Sequence, residues 1–179
     1  ILPYGLIMAA VGLTEGLLTL NLVDEITKTI QEETSDNQLF FAFLGADALK
    51  NPPPLGFFRQ FLVENDGEHK DAFDIKSRAL MPLIDAARLL TLSLDVKGIQ
   101  NTYNRYKKLA EIEPQNAELF DNCAEAFSIL SRFRTEEGLQ NNSTGRYLNL
   151  HELSKTDKVK LKYAFQPIRE VQEVIKNRF

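Results

Sequence analysis

Apolar residues recur along most of this chain at the spacing of an amphipathic helix. Leu18, Leu22, Ile26 and Ile30 fall at every fourth position, with Asp24, Glu25, Lys28 and Glu32 between them, which predicts a helix with one buried face. Ser35-Asp36 ends that helix and caps the next, expected over about 37–50, whose stripe is Leu39, Phe43, Ala46 and Leu49. Asn51-Pro52-Pro53-Pro54 stops it, because consecutive prolines lack amide donors and push their predecessors out of helical geometry.

The period then changes. Apolar and polar residues roughly alternate from Phe57 to Glu64 and again from Ala72 to Lys76, with the polar, glycine-containing run 65–71 between them. This pattern predicts a β-hairpin over 57–76. Helices resume near Arg78 with the stripe Leu80, Leu83, Ile84, Ala87, Leu90 and Leu94, and Pro82 falls in the first turn, where a proline is tolerated. A short helix is expected over about 101–112 before Glu113-Pro114 breaks the pattern. A long one follows, marked by Leu119, Cys123, Phe127, Leu130 and Phe133 and ending near Gly138. After the polar loop 141–145, Ser154-Lys155-Thr156-Asp157 supplies an N-cap and a following acid for the last helix. Its stripe is Leu161, Phe165, Ile168, Val171 and Ile175, and Pro167 is a candidate kink. The expectation is an all-α fold, an antiparallel bundle of about six helices with one small β-hairpin insertion. With no linker to divide it, 1–179 reads as a single helical domain.

Composition adds limits. With 44% hydrophobic residues, 179 residues can bury a substantial core. A net charge of -4 argues against a protein that neutralises phosphates or anionic lipid, so neither nucleic acid nor membrane is expected as a partner. The one cysteine, Cys123, cannot form an internal disulfide, which fits a reducing, cytoplasmic location. In an apolar stripe its thiol behaves as a small hydrophobe rather than as a nucleophile. Residues 1–23 carry a single charge, Glu15, and so raise a signal peptide or membrane span. Pro3, Gly5, Gly12 and Gly16 interrupt that run, no basic flank precedes it, and Thr14, Glu15, Thr19 and Asn21 make its middle polar, so it reads as a buried core segment. The chain starts with Ile, and it is read as a C-terminal fragment of a larger protein.

Candidate chemistry is sparse. There is no phosphate loop, dinucleotide fingerprint or H-E-x-x-H zinc motif. His69 and His151 lie far apart in polar loops without nearby ligand partners, so no metal site and no catalytic residue is expected. One segment gathers charge: Arg59, then Asp74, Lys76 and Arg78, then Asp85 and Arg88, at the ends of the expected hairpin and on the helix it feeds. Asp85 and Arg88 are three apart and share a helix face. Two readings compete for these six residues. One is a salt-bridge network tying hairpin to helix. The other is an anion-binding or interdomain surface, with Lys76 and Arg78 as leading anion contacts and Asp85 orienting Arg88 or Arg78.

Within this segment P-P-L-G-F-F-R-Q-F, G-E-H-K-D-A-F-D-I-K and M-P-L-I-D-A-A-R-L-L, between Asn51 and Leu92, resemble the nucleotidyltransferase substrate-binding domain. That domain lies at the C-terminus of bacterial proteins carrying cyclic-nucleotide-binding and CBS-pair domains followed by a nucleotidyltransferase-like domain. The likeness extends more loosely from about Leu39 to Phe179. The D-x-K and the helix after it are also similar to a stretch of PII uridylyltransferases, where a glycine-rich turn follows the lysine; here Ser77-Arg78-Ala79-Leu80 follows.

The resemblance implies a helical domain that packs against a nucleotidyltransferase core in cis and forms the acceptor side of its cleft. A nucleotide or a small-protein acceptor would be its ligand. Nucleoside triphosphate and Mg are expected only for that parent catalytic domain, since this chain lacks the G-S motif and D-x-D acids that two-metal transfer requires. The alternative is a free-standing helical interaction or regulatory module that binds a protein or pairs as a homodimer through an uncovered apolar face.

Overall fold

A computed structural model describes residues 25–26, 28–29, 38–51, 54, 61–65 and 67–179. Their order is α1 (Gln38–Ala48), β1 (Phe73–Asp74), a π-helical turn (Lys76–Leu80), α2 (Met81–Ser93), α3 (Thr102–Ile112), a 3-10 turn (Pro114–Asn116), α4 (Ala117–Asn141), β2 (Tyr147–Leu148) and α5 (Lys155–Arg178). The described chain is therefore mainly helical. Of the helix expected from Leu18 onward, positions 25, 26, 28 and 29 are described, and they are helical. The rest of it, with the apolar run 1–23, lies outside the described residues, so the count of six is not reached among the described ones.

Helix boundaries follow the local chemistry. The Asn101 side chain accepts the amide of Asn104 at the start of α3, and Ser154 accepts the amide of Asp157 at the start of α5. Pro82 sits in the opening turn of α2, where its missing amide costs least. The last helix runs through Pro167 from Lys155 to Arg178 without interruption. Helix α4 extends three residues past Gly138 to Asn141, and Asn142 ends it in the left-handed region at φ 47°.

α4 packs against α3 on one side and α5 on the other, while α2 touches α1, α3 and α5. Where these elements meet, Leu83, Leu90, Tyr106, Leu109, Phe120, Leu130, Leu161 and Ile168 are wholly buried. The Tyr106 hydroxyl satisfies itself by donating to the Leu83 carbonyl at 2.7 Å. Phe61, Phe73 and Phe165 form an edge-and-tilted aromatic cluster with centroids 5.2–5.8 Å apart, which fixes the strand region on α5.

The sheet differs from the hairpin expected over 57–76. β1 pairs antiparallel with β2, Phe73 opposite Leu148 and Asp74 opposite Tyr147. Ile75 extends the contact by donating to the Arg146 carbonyl at 3.0 Å. Within the expected hairpin, Glu64 exchanges backbone bonds with Ala72 and Asp71 at 2.9 Å each, and Lys70 and Ala72 donate to the Gly67 and His69 carbonyls in the turn; positions 57–60 and 66 lie outside the described residues. Burial explains the choice of partner: pairing with β2 puts Phe73 and Leu148, 0% and 1% exposed, side by side in the core. Among the described residues no helix is long and apolar enough to cross a membrane.

Candidate functional site

The charged residues singled out by the sequence fall into two groups. The first centres on Asp74. Its backbone is held in β1, and its side chain is 5% exposed. One carboxylate oxygen accepts the Ser77 amide at 2.9 Å, and the other accepts Arg146 Nε and Nη2 at 2.9 and 2.7 Å. Arg146 Nη2 also reaches the Ser77 hydroxyl at 3.2 Å. Burial pushes the Asp74 carboxyl up, but the Arg146 donors and the Ser77 amide together outweigh it and hold the group below its ordinary value. Arg78, in the π-helical turn, donates through Nε and Nη2 to one Glu64 oxygen at 3.2 and 3.0 Å. The Arg146 guanidinium lies 5.0 Å over the Tyr147 ring, and the exposed His69 ring stacks on Tyr147 with centroids 3.6 Å apart. Glu64 and Asp74 both act electrostatically on Arg146, so the two ion pairs form one network.

The second group lies on α2. Asp85 and Arg88 pair at 3.6 Å, with side chains 12% and 10% exposed. Burial raises the Asp85 carboxyl to about 6; Arg88 opposes the shift and Asp47 of α1 adds to it. Lys76 is exposed at the start of the π-helical turn. Arg59 lies outside the described residues.

Asp74 with Arg78, through Glu64 and Arg146, and Asp85 with Arg88 are thus the combinations brought together. Sequence reasoning missed Arg146 and Glu64, the partners that neutralise Asp74 and Arg78. Arg146 pairs across 72 positions, and no local spacing announces such a partner. Cys123 is buried against the Pro167 carbonyl, and burial pushes its thiol up, away from nucleophilic use. Among the described residues, no group of three or more His, Cys, Asp and Glu side chains is placed to hold a metal ion.

A helical body with a short strand clamp and a charged network at the entry to α2 is the setting in which the comparisons with known proteins fall. A family profile described as "Putative nucleotidyltransferase substrate binding domain" matches residues 38–179. The chain belongs to that family. No curated protein and no solved structure matches it.

Proposed function

We propose that this chain is the accessory substrate-binding or docking domain of a nucleotidyltransferase-like protein, packing beside a catalytic domain that its own residues do not supply. The family match over 38–179 carries this reading. The complete body would be the antiparallel bundle of about six helices. Association with cyclic-nucleotide-binding and CBS-pair domains, and a cytoplasmic signalling role, belong to the same reading.

Arg78, Asp74, Asp85 and Arg88 have partners within the domain: Asp74 ties β1 to Ser77 of the π-helical turn and to Arg146, Arg78 ties that turn to Glu64, and Asp85 and Arg88 pair within α2. Lys76, exposed beside them, is the leading contact for an anion or for the catalytic domain, with Arg78 two positions on as a second candidate and Arg59, outside the described residues, as a third. The experiment uses the intact protein that carries this domain. Lys76→Ala should weaken nucleotide or acceptor binding there and leave the melting temperature of the domain unchanged. A melting temperature that falls, or binding that does not change, removes Lys76 from the site. An upstream coding sequence with no G-S and D-x-D motif would remove the accessory reading itself.

One observation favours the interaction-module alternative. Val159 and Tyr163, one turn apart on α5, are 66% and 55% exposed, an apolar pair that a protein partner or a second copy would cover.

A further inference from the structure

A cleft of about 630 Å³ opens between the start of α2, the C-terminal half of α4 and the loop 142–144. That volume is in the range of small-molecule sites. Leu80, Ile84, Phe127 and the exposed Leu139 supply its apolar part. Its one charged lining residue is Arg134, accompanied by Ser131 and Thr135 on the same face of α4.

Arg134 is half-buried, and among the described residues no carboxylate lies within ion-pair distance of it. Its Nε donates to the Thr144 carbonyl at 3.2 Å, which fixes the guanidinium against the loop. The acids next to it in the chain are engaged elsewhere: Glu136 accepts Arg132 at 2.7 Å, and Glu137 accepts the Asn141 amide at 2.7 Å. The loop wall is built in advance of any ligand. The Ser143 amide donates to the Gly138 carbonyl at 3.0 Å, and Gly145, at φ 64°, presses so closely on α4 that a Cβ there would overlap the Arg134 carbonyl oxygen.

The hydroxyls divide by role. Ser143 Oγ accepts the Gly145 amide at 3.1 Å and so keeps its own proton for an outside acceptor. Thr135 gives its proton to the Ser131 carbonyl at 2.9 Å and can only accept. A cation flanked by two hydroxyl donors, Ser131 and Ser143, suits a tetrahedral phosphate better than a planar carboxylate, and the remaining acceptor, Thr135, suits a sugar hydroxyl. The end of α4 carries a fractional negative charge that opposes an anion, but the full charge of Arg134 outweighs it.

We propose that this cleft binds a nucleoside monophosphate, its phosphate on Arg134 and the Ser131 and Ser143 hydroxyls and its base against Leu80, Ile84 and Phe127. The proposal rests on the substrate-binding reading above for the class of ligand, and on the cleft for the location. The test is isothermal titration of the 179-residue chain, without metal, against AMP and UMP, with adenosine and inorganic phosphate alongside. At least one nucleotide should bind saturably at submillimolar concentration, and adenosine and phosphate each about tenfold more weakly or worse. Arg134→Gln, which keeps a donor for Thr144 but removes the charge, should weaken nucleotide binding by about tenfold or more, while Arg134→Lys retains most of it. Should the Gln variant lose its helical circular dichroism, Ser131→Val removes one donor without touching the loop anchor and should weaken binding in the same direction. Absence of binding by both nucleotides, or wild-type affinity in the folded Arg134 and Ser131 variants, overturns the proposal. Binding lost in Lys76→Ala but kept in Arg134→Gln overturns the cleft and leaves the accessory-domain reading standing.

Discussion

Asp74 and Asp85 lie on neighbouring elements, and burial raises the proton affinity of both, yet they end on opposite sides of the ordinary value of 3.8. At Asp74 two guanidinium donors and a backbone amide overcome burial, so the carboxylate contributes stability above the ordinary carboxylate range and loses it as pH falls through its depressed value. Arg146→Ala would strand that carboxylate. Because Arg146 is 40% exposed, the cost is discounted from that of a fully buried pair to about 2 kcal/mol at pH 7, and it should shrink toward pH 3 in urea unfolding. At Asp85 Arg88 offsets only part of the burial, and the folded state takes up a proton more readily than the unfolded one. Stability from this group is therefore complete below about pH 4 and declines as pH rises through about 6. Between pH 4.5 and 7 the wild type should lose on the order of 2 kcal/mol that Asp85→Asn does not lose. Equal slopes for the two proteins would refute the assignment. The Asp85–Arg88 pair was legible from its three-residue spacing, whereas the partners of Asp74 and Arg78 were not, because they come from other parts of the chain.

Helices were the most legible elements, since each carries a stripe long enough for its period to show. The stripes Leu80 to Leu94 and Leu161 to Ile175 correspond to α2 and α5, and the Ser154 cap begins α5 as the sequence indicates. The β pairing was not legible: strands of two residues have no period to read, and the alternation near Phe57 to Glu64 points to a local partner rather than to Tyr147–Leu148. What holds β2 in place is the turn before it, where Gly145 needs both a left-handed φ and the absence of a Cβ. Gly145→Ala should therefore cost on the order of 3 kcal/mol in urea unfolding, well beyond an ordinary surface change. Ser154→Ala removes one cap bond at an exposed helix start and should cost about 1 kcal/mol. If the two variants unfolded at the same midpoint, the close approach of the loop to α4 would be wrong.

On the scale of the whole molecule, among the described residues, charged groups gather at the entry to α2, at the far end of α4 and where Glu113 pairs with Arg178 at the end of α5, while aliphatic and aromatic side chains make up most of the interior. Nucleotidyl transfer through two metal ions needs carboxylates that bridge both ions and a group that positions the triphosphate. The sequence offers neither the G-S motif nor the D-x-D acids for that task, and its buried acids serve Arg146, Arg88 and Arg178 instead. Purified alone and given nucleoside triphosphates with magnesium or manganese, the chain should release no pyrophosphate and label no acceptor above the protein-free background. The decisive measurement is pyrophosphate release assayed across the fractions of a final sizing column. Turnover that follows the protein peak, and that falls when Asp74 or Asp85 is changed to Asn, would mean that these carboxylates do chemistry rather than hold the domain together, and the accessory-domain reading would fail.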